Sequence, residues 1–136
     1  MIIFLRLLFI GFIVAMLSVT TWASLNQALG DFARGPTIRD PWVVATLFDA
    51  YLAFLAFFVW VAWKEQSLAA RLLWFVALML LGNFAIAGFM LRELFAVSSA
   101  APARDALAQV FTRRNPGRLL LPGALTAAAV GVYLLA

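Results

Sequence analysis

Four apolar runs, at residues 2–23, 41–63, 72–91 and 119–136, carry most of the chain, and polar residues gather in the segments between them. A helix needs roughly 20 residues to cross the hydrocarbon of a bilayer, so each run reads as a transmembrane helix. The fourth has 18 residues, which gives about 27 Å and leaves room for little tilt. Lipid offers no partner to backbone N–H and C=O groups, and this enforces helix in spite of the many Phe and Val residues. A shorter helix is expected at 102–114. Ala103, Leu107, Val110 and Phe111 follow helical spacing there, Arg104, Asp105, Gln109 and Arg113 fall elsewhere, and Asn115-Pro116-Gly117 stops it. Such a piece lies in the membrane interface with its arginines near anionic headgroups, either as a tether or as a lipid- or partner-docking element. The expected fold is therefore all-α: one integral membrane domain over 1–136, a four-transmembrane-helix bundle with an interfacial amphipathic helix before the last span.

The boundaries carry their own signals. Trp22, Trp42, Trp63 and Trp74 all fall near expected helix ends, where an indole keeps its ring in lipid and its N–H among headgroups. Pro41 suits the first turn of span two, with Asp40 as its cap. The first run has no charged leader and is long for a secretion signal, so it reads as a retained helix. Four spans place the segments 24–40 and 92–118 on one side. That side would hold seven basic residues, Arg34, Arg39, Arg92, Arg104, Arg113, Arg114 and Arg118, against Arg6, Lys64 and Arg71 on the other. Counting Lys and Arg alone puts 24–40 and 92–118 in the cytoplasm, in a plasma or inner membrane.

Composition agrees with a lipid-facing surface. Hydrophobic residues make up 66% and charged residues 12%, with a mean hydropathy of +1.03, whereas a soluble domain is about half apolar and a quarter charged. The chain has no Cys and no His, which excludes disulfides, thiolate chemistry, haem ligation by His and histidine acid–base work. No catalytic set, metal site or cofactor is expected. A net charge of +4 reads as membrane-surface charge rather than a nucleic-acid footprint.

Helix faces supply the candidate site. On span two, Trp42, Ala45, Thr46, Asp49, Ala53, Ala56, Trp60 and Trp63 share one stripe. Small and polar residues face helical partners in membranes, so this stripe is expected inside the bundle. Matching small-residue tracks are Gly11, Ala15, Ser18 and Trp22 on span one, Ala77, Ala85 and Gly88 on span three, and Gly123, Ala127 and Gly131 on span four. Asp49 and Asn83 each lie about 12 Å from the same membrane side, and Thr126 about 10.5 Å from an end. These depths predict an intramembrane polar cluster of Asp49, Asn83 and Thr126. A carboxylate at that depth costs roughly 2.5–3.5 kcal/mol when ionised, so Asp49 is either a hydrogen-bonding peg or a proton- or cation-exchanging group. Tyr51 lies about 200° round the helix and is expected against lipid or a neighbouring protein. Lys64 and Glu65, with Arg71, read as a surface ion pair, and Glu65 is about 24 Å along the helix from Asp49, too far for paired-carboxylate chemistry.

The stretch Asp40-Pro41-Trp42, Thr46-Leu47-Phe48-Asp49-Ala50-Tyr51 and Trp60-Val61-Ala62-Trp63-Lys64-Glu65, continuing through Trp74-Phe75 to Gly82 and Leu94-Phe95, resembles a small family of multi-pass membrane proteins of plants and bacteria that form a domain of unknown function. The resemblance covers about residues 20–95. It implies a multi-pass membrane protein and assigns no activity or functional residue. The leading expectation is a non-catalytic packing or accessory subunit, or a homo-oligomer, with the bilayer and a larger membrane complex as partners. The alternatives are a small proton- or cation-coupled transporter using Asp49 and a lipid-modifying membrane enzyme using the same carboxylate.

Overall fold

The computed structural model describes residues 1–135, and these form seven α-helices with no strand. Two are long and apolar enough to cross a membrane: α1 (Ile2–Asn26) and α3 (Pro41–Lys64). Between them come α2 (Leu29–Arg34) and a short 3-10 turn (Pro36–Arg39). Asp40 caps α3 as expected, accepting a 2.9 Å bond from the Trp42 N–H, with Pro41 at the first helical position.

The third expected span is two helices. The chain runs through α4 (Leu68–Leu81), reverses at Gly82, and returns through α5 (Asn83–Phe95). Gly82 has φ +51°, a backbone state that L side chains rarely adopt, and a Cβ there would lie 2.6 Å from the Phe54 ring. At 14 and 13 residues, α4 and α5 are about 21 and 20 Å long, too short to cross a bilayer singly. The last helix, α7 (Leu120–Leu135), has 16 residues, about 24 Å. Ala136, the final residue of the fourth expected span, lies outside the described residues. The four-span reading is thus corrected to two long helices, a helical hairpin and a shorter apolar helix. The amphipathic helix is present as α6 (Ala103–Thr112), with Ala106 and Val110 buried.

The hairpin is the centre of the molecule. α1 packs on α5, α3 and α7 pack on α4, and α6 underlies the start of α1. The core joins Val61 of α3 to Trp74, Ala77 and Leu78 of α4 and Ala85 and Phe89 of α5. Edge-to-face pairs fill it, with Phe89 meeting Trp74 at 5.0 Å, Trp60 at 5.3 Å and Phe57 at 5.7 Å. Each such pair contributes roughly 0.5–1.5 kcal/mol. Trp74, expected in an interfacial belt, is instead fully buried because α5 folds back over it. Ala77 and Ala85 do form a packing seam, between the two arms of the hairpin. Gly11, Gly123 and Gly131 have no atom within 4 Å of an added Cβ, so those tracks stay open within the chain.

The turn leaves the last carbonyls of α4 without helical partners. The Gly82 N–H bonds to Leu78 O at 2.9 Å, the Tyr51 hydroxyl donates to Met79 O at 3.2 Å, and the Tyr133 hydroxyl donates to Leu80 O at 3.0 Å. Tyr51 therefore has a role inside the chain rather than the outward one expected of it.

The reversal also changes which segments share an end. Arg6 at the start of α1 donates to Leu94 O in the last turn of α5 and to Val97 O just past it, and residues 64–66 pair with Asn115. Segment 92–118 thus sits beside the start of α1 and the end of α3. Segment 24–40 lies at the opposite ends of those helices, about 36 Å away along α3. The two segments lie at opposite ends of the molecule, whereas a continuous third span would have put them at the same end.

Gly82→Ala is expected to destabilise the fold by about 1–3 kcal/mol from backbone strain alone, with displacement of Phe54 in addition. Gly123→Ala, with open space around the new methyl, should be neutral or slightly stabilising. Circular-dichroism melts of both variants in one detergent make the comparison.

Candidate functional site

Two dipeptides of one cation and one anion each end apolar helices: Lys64-Glu65 at the end of α3 and Arg92-Glu93 in the last turn of α5. Because α5 returns toward the end of α3, the pairs meet. Lys64, Glu65 and Glu93 are all 0% exposed, and Asn115 is 5%. Burying such charges is tolerable only where each is paired and hydrogen-bonded. Arg92 Nη2 lies 2.5 Å from Glu65 Oε1 and 2.8 Å from Glu93 Oε1. The Asn115 side-chain amide donates to the same two oxygens at 3.0 and 2.9 Å. Lys64 Nζ makes a 2.6 Å ion contact with Glu93 Oε2 and donates to the Val110 carbonyl. Arg113 stands further out, 3.6 Å from Glu93 Oε2.

Neighbouring groups hold these ions in place. The Arg92 guanidinium lies over the rings of Phe89 (4.5 Å) and Trp74 (5.2 Å), and Lys64 Nζ lies 5.1 Å from the Trp60 ring. Contacts of this kind add roughly 0.5–2 kcal/mol each. Asn115 is fixed by its backbone, its N–H donating to Lys64 O at 2.8 Å and its carbonyl accepting from the Gln66 N–H at 3.2 Å. Gly117 follows with φ +78°, and a Cβ there would meet Ser67 Cβ at 2.3 Å. Only glycine lets this segment lie so close to the start of α4. Among the described residues, Glu65 Oε2, the Trp74 indole N–H and Glu93 Oε2 are the buried side-chain polar atoms without a hydrogen bond, and Glu93 Oε2 is met by its ion contact with Lys64.

The Lys64–Glu65 pair is therefore no surface pair, and Arg71 bonds the Glu65 backbone carbonyl at 2.8 Å rather than its carboxylate. A carboxylate pair does exist, formed by Glu65 with Glu93. It lies beneath Arg92 and Asn115, which suits it to fixing helices rather than to exchanging protons with a substrate. Among the described residues no group of three or more His, Cys, Asp or Glu side chains is placed to hold a metal ion.

Next to the network a pocket of about 250 Å³ is lined by Arg92, Ala96, Arg113, Arg114, Asn115, Pro116 and Arg118. Arg92 and Asn115 form the boundary between pocket and network. Arg114 lies over the Trp63 ring at 5.6 Å.

The expected polar cluster is not assembled. Thr126 is half-buried and donates to Leu73 O at 3.0 Å, low on α4. Asn83 begins α5 beside the hairpin turn, and Asp49 lies on α3 above Phe54; both are exposed. No hydrogen bond joins any two of the three among the described residues. Reversal at Gly82 is the cause, since depths computed for a continuous span do not apply. The face of α3 that packs is also different: Phe54, Phe57, Phe58, Val61 and Lys64 turn inward, while Ala45, Thr46, Asp49 and Ala53 are exposed. In the sequence Glu93 belongs to no recognisable motif, and Asn115 reads only as a helix stop. The detectable signal was two charge-complementary dipeptides closing apolar helices.

A family model described as "Protein of unknown function (DUF1475)" matches residues 2–118. The chain belongs to this family. The match takes in every residue of the ion network and the arginine-lined pocket and ends just before α7. No curated protein and no solved structure matches the chain.

Lys64→Met is expected to cost about 3–5 kcal/mol, because it strips a cation from a buried carboxylate. Adding Glu93→Gln should recover part of that loss, with a coupling of about 1–3 kcal/mol in a double-mutant cycle. Reversible unfolding in mixed micelles measures it, and strictly additive losses would contradict a shared network.

Proposed function

We propose that the protein is a non-catalytic integral membrane subunit that packs through the upper half of α3 against a second copy or a larger membrane partner. One observation carries the reading: the stripe Ala45, Thr46, Asp49 and Ala53 is uncovered within the chain. A carboxylate facing lipid at that depth costs roughly 2.5–3.5 kcal/mol, and small residues permit close helix approach, so a partner helix is the favourable neighbour. The open Gly123–Ala127–Gly131 track on α7 is a second face of the same kind. The membrane reading is supported by α1, of which only Ile2 is buried, and by α3, whose most apolar window is 0% buried. In this arrangement α1 and α3 cross the bilayer and α4–α5 enters and leaves from one side as a re-entrant hairpin. Eight of the ten Lys and Arg residues then lie at the network end, with Arg34 and Arg39 at the other. That bias puts the network end in the cytoplasm.

Two experiments test this. In a native membrane, Gln66→Cys and Ser99→Cys should label from the cytoplasm and Gln27→Cys from the opposite side; labelling of Gln27→Cys and Ser99→Cys from the same side would restore the four-span topology. Purified in a mild detergent, the wild-type chain should run as a homo-oligomer or with a stoichiometric partner, and Asp49→Leu should release the monomer. A monomeric wild type that catalyses cation or proton flux in liposomes, lost in Asp49→Asn, would put the transporter in its place.

A further inference from the structure

We infer that the pocket bounded by Arg92, Arg113, Arg114 and Arg118 is a binding site for a phosphate group, presented at the membrane surface by an anionic phospholipid. The charge count is the first argument. Lys64, Arg92 and Arg113 already outnumber Glu65 and Glu93 by one, and Arg114 and Arg118 have no carboxylate within ion-pair distance among the described residues. The pocket therefore carries surplus positive charge, and guanidinium forks match the tetrahedral oxygens of phosphate with several donors at once.

The second argument is that the site is built before any ligand arrives. Its rear wall is Arg92, 21% exposed and anchored on two carboxylates, and Asn115, anchored by both backbone and side chain. Gly117 pins the adjoining turn against Ser67, and the Arg113 guanidinium reaches Ala96 O at 3.4 Å across the pocket. Arginines held on such a frame lose less freedom on binding than arginines on a mobile loop. About 250 Å³ is below the usual size of a drug-sized pocket, roughly 300–1,000 Å³, and suits a headgroup rather than a whole lipid.

The third argument concerns the source. The pocket lies where α3 ends, beside Trp63, and above the segment that leaves amphipathic α6. In the membrane reading this is headgroup level, and that reading is used only to choose lipid over a soluble phosphate.

The test uses the full chain in a neutral detergent, titrated calorimetrically with dihexanoyl phosphatidylglycerol, dihexanoyl phosphatidylcholine and sn-glycerol 3-phosphate. Saturable binding of phosphatidylglycerol is expected, at least tenfold tighter than phosphatidylcholine. The double variant Arg114→Gln/Arg118→Gln should weaken it by about tenfold or more, since hydrogen bonds to charged groups are lost. Neither residue contacts the carboxylates of the buried network, so the variant should stay folded, its melting curve shifted only by loss of the Arg114–Trp63 contact. Weak binding of glycerol 3-phosphate beside strong binding of the lipid fixes the lipid as source; equal binding of both keeps the phosphate site and makes its ligand soluble. Failure of both to bind, or binding undiminished in the double variant, overturns the site. Such a failure leaves the cysteine-labelling result standing, so the two proposals fail separately.

Discussion

Glu93 is the residue on which the arrangement of the chain turns. Its carboxylate meets Lys64, Arg92 and Asn115 at once, and so ties the end of α3, the end of α5 and the segment before α7 into one cluster. Both glutamates and Lys64 are wholly covered by protein. In that setting an unmatched charge is far more costly than a matched one is helpful. The network therefore selects a register: sliding α5 along α3 by one turn would leave a buried ion alone. Packing of Phe89 among Trp60, Trp74 and Phe57 follows the same register, because Arg92 lies over Phe89 and Trp74.

A helical hairpin faces a second problem, the free backbone groups at its turn. Here Tyr51 reaches them from α3 and Tyr133 from α7, each from a helix that packs on α4. Thr126 adds a further bond from α7 to α4, at the Leu73 carbonyl inside the helix. At the other end Arg6 does the corresponding work for α5, placing its cation at the carbonyl end of that helix, where the dipole favours positive charge. Satisfying the backbone of the hairpin thus recruits α1, α3 and α7, and this explains why all three lie against it.

Much of this was legible in the sequence, and the misses have one origin. The long helices α1 and α3, the Asp40–Pro41 start, the amphipathic α6 and the all-α class follow from hydropathy, capping chemistry and spacing. Hydropathy has no sense of direction, however. The run 72–91 is apolar whether the chain continues or doubles back, and Gly82-Asn83 is a modest interruption by composition. Treating it as continuous put Arg92 at the wrong end, aligned Asp49 with Asn83 and Thr126, and set Trp74 in an interfacial belt. The corrective signal was charge: Lys64-Glu65 and Arg92-Glu93 are complementary, and apolar helices that end in such pairs have reason to end together.

The two ends of the molecule differ in what they leave unfinished. At the network end every buried ion is answered within the chain except Glu65 Oε2, and the excess of cations faces outward into the pocket. At the other end α1 and α3 extend beyond the hairpin with their apolar sides uncovered, and Asp49 and Asn83 are exposed above it. A short hairpin imposes this asymmetry, because α4 and α5 reach only about 20 Å along helices nearly twice as long. The upper half thus offers apolar surface with a carboxylate set in it, the chemistry on which the proposed packing face rests. The charged end offers the converse, guanidinium groups in excess over the carboxylates they meet. One small chain thus exposes two surfaces of opposite chemistry, separated by the length of a hairpin that fixes both.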